Sequence, residues 1–145
     1  MRVASSIVVL TMGLVLAASA SGSTGQTRLL GSTGAHFRQA WQVRPTRIVY
    51  TGDGSGILDR LRWATWSHSR AVGSGTVELN DCNPSCAGGT FTAHAVRVIA
   101  FRPVRGRFTR LTLRYAYRGK RRVQRWGIRR IGGAWSYYLA VGHPQ

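Results

Sequence analysis

Acidic side chains are nearly missing from this chain: Asp53, Asp59, Glu78 and Asp81 are the only four in 145 residues, against 21 basic ones, for a formal net charge of +17. Four carboxylates leave little material for general acid–base pairs, and two of them, Asp53 and Asp81, fall in turn-rich stretches where aspartate commonly caps the backbone. Brought together, those two would be too few for calcium in a field this positive. Lysine is scarcer still, with Lys120 standing alone beside twenty arginines. GC-rich codon usage accounts for arginine over lysine, but not for the missing acids. Cysteine is limited to Cys82 and Cys86, and His36, His68, His94 and His143 lack ligand spacing, so no metal site and no cofactor are expected. There is no Gly-x-Ser-x-Gly elbow. The Gly-rich run Thr51–Gly56 has Ile57 where a dinucleotide fingerprint needs its third glycine, and no Lys-Ser/Thr ending follows. It reads as a hairpin loop. No catalytic residue is assigned; a Ser, His and Asp triad set by geometry, in an unrecognised hydrolase, is the enzymatic alternative.

What the amino terminus does contain is a basic residue, Arg2, an apolar run from Ile7 to Ala17, and the small residues Ala18-Ser19-Ala20. That is the pattern of a cleavable secretory signal, with cleavage expected after Ala20. The apolar run is shorter than the ~20 residues a spanning helix needs. No cysteine follows that could accept a lipid. Residues 21–34, rich in Gly, Ser and Thr, are expected to form a flexible leader, and residues 35–145 a single secreted domain. The domain is expected outside the cell, secreted or held at the wall. In an oxidising compartment Cys82 and Cys86 are expected to form a disulfide closing a tight loop, which fixes loop shape more than it removes unfolded-chain entropy.

Hydrophobic period two dominates from Pro45 onward. Ile48 and Tyr50, Leu61 and Trp63, Val77 and Leu79, and Val96 and Val98 each alternate with polar neighbours, the last run reaching Phe101 and stopping at Pro103. In Phe108–Arg118, Leu111, Leu113, Tyr115 and Tyr117 share one side. Trp126 and Ile128, then Trp135, Tyr137, Leu139 and Val141 across a Gly132-Gly133 turn, complete the series. A single helical turn is the most that Phe37, Ala40 and Trp41 suggest before Pro45. The expected fold is all-β, a small antiparallel meander of six or seven short strands closing as a barrel or sandwich. Trp63, Trp66, Trp126 and Trp135 are expected in its core.

The pattern with functional content is the arginine face. Arg110, Arg114 and Arg118 project from one side of a strand, and Lys120, Arg121, Arg122, Arg125, Arg129 and Arg130 follow on the next. If the two strands pair, the charges merge into one patch. Guanidinium forks suit phosphate and carboxylate oxygens, and nearby aromatics suit bases or sugar rings. A solvated sheet face is the alternative reading of the same pattern.

From Pro45 to about Leu113 the chain resembles a group of small secreted proteins and lipoproteins of actinobacteria with no assigned function. The residues that carry the resemblance are Arg44-Pro45, Thr51-Gly-Asp-Gly, Leu58-x-x-Leu61-x-Trp63-x-x-Trp66, Ala71-x-Gly73-x-Gly75 and Asn80-x-Cys82-x-Pro84-x-Cys86-Ala87-x-Gly89. The resemblance implies an exported β framework and no activity. Unlike the lipoprotein members, this chain lacks a lipid-accepting cysteine after its signal. The resulting expectation is a non-enzymatic basic domain that binds an anionic polymer, whether wall polymer, polysaccharide or nucleic acid. The alternative is a protein-binding module, an inhibitor or effector, acting through the Cys82–Cys86 loop.

Overall fold

A computed structural model describes residues 25–34 and 36–140. The expected signal segment and Val141 lie outside them. Nine strands and no helix make up the described chain: β1 (Leu29–Thr33), β2 (Arg38–Gln42), β3 (Ile48–Val49), β4 (Gly56–Trp66), β5 (Arg70–Asn80), β6 (Phe91–Val104), β7 (Arg107–Tyr117), β8 (Lys120–Ile131) and β9 (Ala134–Leu139). β3 to β9 form one antiparallel meander in chain order, curled into a half-barrel, and β1–β2 form a separate ribbon. Alternation places Leu58, Val77, Val98, Leu111, Leu113 and Ile128 on the inner face, where each is at most 5% exposed. Trp126 is buried there, while Trp63, Trp66 and Trp135 are partly buried against the same core.

The ribbon corrects the expected leader. Composition placed residues 29–33 in a flexible segment, yet Leu29 and Leu30 are 0% and 1% exposed. They plug the concave side of the half-barrel. The strand is held at both ends: Phe108 N–H donates to Arg28 O at 2.9 Å, Ser32 N–H to Arg47 O at 2.9 Å, and Val49 N–H to Ser32 Oγ at 2.8 Å. Between them the Tyr137 hydroxyl donates to Leu30 O, joining residues 107 positions apart. Two buried leucines outweigh a run of Gly, Ser and Thr because removing each side chain from water contributes ~1.5–3 kcal/mol. The expected helical turn is also replaced: residues 38–42 pair with β1, and Trp41 packs edge-on against Trp135 at 5.1 Å.

Pro103 does not end β6. It remains paired with Phe108, and the strand runs to Val104, with Arg102 at φ +56° absorbing the irregularity. The other irregularity is in β4, whose register against β5 shifts between Asp59 and Arg62 and again between Trp63 and Thr65, with Arg60 at φ +51°. Trp63 and Trp66 stand against each other at 4.8 Å beside these bulges; their indole N–H groups donate to Pro45 O and Thr27 O, at 2.8 and 2.9 Å. The tryptophans thereby anchor β4 to the chain segments that lead into the meander.

Candidate functional site

The face of the meander turned away from the core collects the arginines. Cross-strand register sets them in rows: Arg62, Ser74, Arg97, Arg114 and Val123 in one; Val72, Ile99, Thr112 and Arg125 in the next; Arg70, Phe101, Arg110, Gly127 and Tyr138 in a third. Arg97 and Arg114 are directly opposite one another and both exposed. Ile99 and Thr112 are 7% and 8% exposed on this outer face. The register surrounds them with Arg97, Arg110, Arg114 and Arg125, and long arginine stems at such positions can cover apolar surface. Tyr138 lies across Gly127, with Arg110 Nη1 donating to its hydroxyl at 2.8 Å and the Arg129 guanidinium 4.4 Å over its ring. A side chain at Gly127 would occupy the space of that ring.

This geometry divides the seven arginines expected to act together. Arg110, Arg114, Arg121, Arg125 and Arg129 share the outer face by strand parity. Arg118 does not: it sits in the β7–β8 turn at φ +49°, stacked on Tyr117 at 5.2 Å. Arg122 pairs with Tyr115 and belongs to the inner side. The contiguous charged run Lys120–Arg122 cannot stay on one face, because successive strand residues point oppositely. Sequence reasoning missed Arg97, Arg62 and Tyr138. Arg97 between Val96 and Val98 already pointed outward, but its partner across the sheet depends on register, and pairing is not written in either strand alone.

Charge is unevenly distributed as well. After Asp81 the sequence has twelve arginines and Lys120 and no acid. The carboxylates are gathered toward β3–β5: Asp59 pairs in register with Thr76, Glu78 with Ile57, and Arg47 Nε to Asp59 Oδ1 at 4.0 Å is the only ion pair among the described residues. Asp53 and Asp81 cap turns. Asp53 Oδ1 accepts from Ser55 N–H at 3.0 Å, and Asp81 Oδ1 from Thr90 N–H at 2.9 Å and Asn83 N–H at 3.1 Å. The backbone bond from Ser55, then its hydroxyl, holds Asp53 below the usual aspartate range; Thr90 and then Asn83 do the same for Asp81.

Cys82 and Cys86 are disulfide-bonded. Asn80 clamps the loop, its Nδ2 donating to Cys86 O and its Oδ1 accepting from Cys82 N–H, both at 2.8 Å. Asp53, Cys82 and Cys86 bring potential ligand atoms within 4.8 Å of one another. Both sulfurs are spent in the disulfide, so they offer no thiolate to a metal, and the 3.7 Å approach of Asp53 Oδ2 to Cys86 Sγ packs one loop on the other. Because the capping aspartates have folded-state pKa values below their unfolded ones, their contribution to loop order is complete above the unfolded value of ~3.9 and disappears as pH falls through the folded value. The Thr90 and Asn83 amide resonances are expected to titrate with a midpoint below ~3.9; a midpoint at or above it contradicts the capping.

Two clefts of the described residues gather polar and charged side chains. One, of about 900 Å³, lies among the Thr51–Gly54 loop, the β1–β2 turn and β9, with His36, Arg47, Glu78 and Tyr137 in its walls. His36 and Glu78 make no hydrogen bond to each other among the described residues. The second, of about 850 Å³, is at the end of the half-barrel near the β7–β8 turn and includes Arg118 and Arg122.

No helix of the described residues is long and apolar enough to cross a membrane. The chain matches no family model, no curated protein and no solved structure.

Proposed function

We propose that the protein is an exported, non-enzymatic basic β domain whose outer face binds an anionic polymer of the cell envelope or its surroundings. The observation that carries this reading is the Arg97–Arg114 pair. Like charges directly opposite on adjacent strands destabilise a sheet, and β6 to β9 contain no carboxylate to relieve them. Arg110 and Arg125 on neighbouring rows widen the pair into a surface that a flexible polyanion follows by displacing counterions. Tyr138, hydrogen-bonded to Arg110 and stacked with Arg129, holds these two guanidinium groups at the border of the surface.

The test is retention of the exported chain on DNA, teichoic acid and a heparin-like polysaccharide across a salt series. It is run beside a variant carrying Arg97→Gln, Arg110→Gln, Arg114→Gln and Arg125→Gln. The expected result is binding to one polymer that persists near physiological salt. In the variant, the slope of log affinity against log salt should fall by about 3, since each lost phosphate contact contributes ~0.7–0.9. Weak retention that declines equally on every polymer, or retention unchanged in the variant, sinks the reading.

A further inference from the structure

The cleft near the β7–β8 turn is lined chiefly by inner-face residues, with Val123 contributed from the outer face. It lies where the inner surface of the half-barrel runs past its apolar core. Further along the strands, inner positions are Val96, Val98, Leu111 and Leu113; here they become Thr92, His94, Tyr117, Arg122 and Gln124. A β-barrel mouth lined by aromatics with a few polar groups is a common setting for small ligands. A volume of about 850 Å³ is sufficient for one small molecule.

The donors on its walls define the chemistry. Arg118 and Arg122 have no carboxylate within 4.0 Å among the described residues. Arg122 is paired in register with Tyr115, and Arg118 is stacked on Tyr117 at 5.2 Å. The His94 ring meets Tyr117 edge-on at 5.3 Å, so the wall holds two aromatic rings as well as the two arginines. Gln124 uses Oε1 to accept from Trp126 Nε1 at 3.4 Å, so its amide N–H groups remain as donors. Asp81, the only acid in the wall, already has Oδ1 engaged by two backbone N–H groups and is outnumbered by the two arginines.

We infer that this cleft binds a phosphorylated sugar or sugar alcohol, with Arg118 and Arg122 on the phosphate and Tyr117 against the carbon skeleton. Guanidinium forks match phosphate oxygens, and the C–H face of a sugar ring packs on an aromatic ring as other apolar surfaces do. The site differs from the outer face in being concave and of limited size, so it selects one residue of a ligand rather than a length of polymer.

Calorimetric titration of the full exported chain with ribose 5-phosphate, glycerol 3-phosphate, glucuronate, inorganic phosphate and ribose tests it. Saturable 1:1 binding of at least one of the two phosphorylated probes is expected, with ribose and glucuronate at least tenfold weaker. Arg122→Gln and Arg118→Gln should each weaken the bound probe at least tenfold, and Tyr117→Ala should weaken it by a larger factor than it weakens inorganic phosphate. The four-arginine outer-face variant should bind it as the unaltered chain does. Three results overturn the inference: no saturable binding of either phosphorylated probe, inorganic phosphate or glucuronate binding as tightly as those probes, or loss of binding in the outer-face variant. Because circular dichroism monitors folding of each variant and the two arginine sets are disjoint, failure here is distinguishable from failure of polymer binding.

Discussion

Replacing Leu29 by alanine is expected to lower unfolding free energy by about 3 kcal/mol, within the ~2–5 kcal/mol range for buried Leu→Ala changes. Leu29 is 0% exposed and sits in the strand that fills the open side of the half-barrel. The site cannot collapse to fill the cavity, because hydrogen bonds from Phe108, Ser32 and Tyr137 hold the ribbon at fixed points along its length. Urea unfolding of residues 21–145 and its Leu29→Ala form measures the loss directly. A chain starting at residue 35 removes β1 altogether, strips the partner of β2, and exposes Ile48, Phe108 and Tyr137 to water. It is expected to show no cooperative transition. A truncated chain that unfolds at the same urea midpoint would show that the ribbon is dispensable and that residues 21–34 are a leader after all.

The second large effect is expected at Gly75. Opposite the β4 bulge, a Cβ on Gly75 would lie 2.7 Å from Asp59 O, 3.1 Å from Arg60 O and 3.0 Å from Leu61 Cδ2. Two of those neighbours are backbone carbonyls in an irregular segment already fixed by the shift in register, so the clash is not relieved by a rotamer change. Gly75→Val is expected to cost about 3 kcal/mol, the upper end of overpacking penalties. Gly52→Ala, in a loop where nothing lies within 4 Å, is the control and should stay within ~0.5 kcal/mol. Equal midpoints for the two variants in thermal or urea unfolding would contradict the close approach.

The same approach gives a physical reason for part of the framework pattern. Gly73 faces Trp63, with its would-be Cβ 2.9 Å from the indole and 2.8 Å from Arg62 O, so Gly73-x-Gly75 on β5 is the complement of Leu61-x-Trp63 on β4. The two motifs are separate in the chain and are one packing unit in the fold. Asn80 and Gly89 form a comparable unit around the cystine loop: Asn80 supplies both hydrogen bonds that clamp it, and any side chain at Gly89 would intrude on the Asn80 amide oxygen.

The β class, the strand sequence from Ile48 to Leu139, the inward set Leu111, Leu113 and Tyr115, and the pairing of Cys82 with Cys86 were all determined by the sequence alone. Period-two alternation and a five-residue cysteine loop are local signals, and local signals survive without knowledge of partners. Only the tertiary structure decided the place of Leu29 and Leu30. A short strand among Gly, Ser and Thr has no pattern of its own, and its burial is created by a concavity assembled from strands far along the chain. It also decided the arginines. Their number and alternation were legible, but whether Arg114 meets Arg97, and whether Arg118 and Arg122 join the outer face or turn into the cleft, depends on register, turn conformation and the curl of the sheet. Those quantities are set by which strands lie side by side, and a single strand does not contain them.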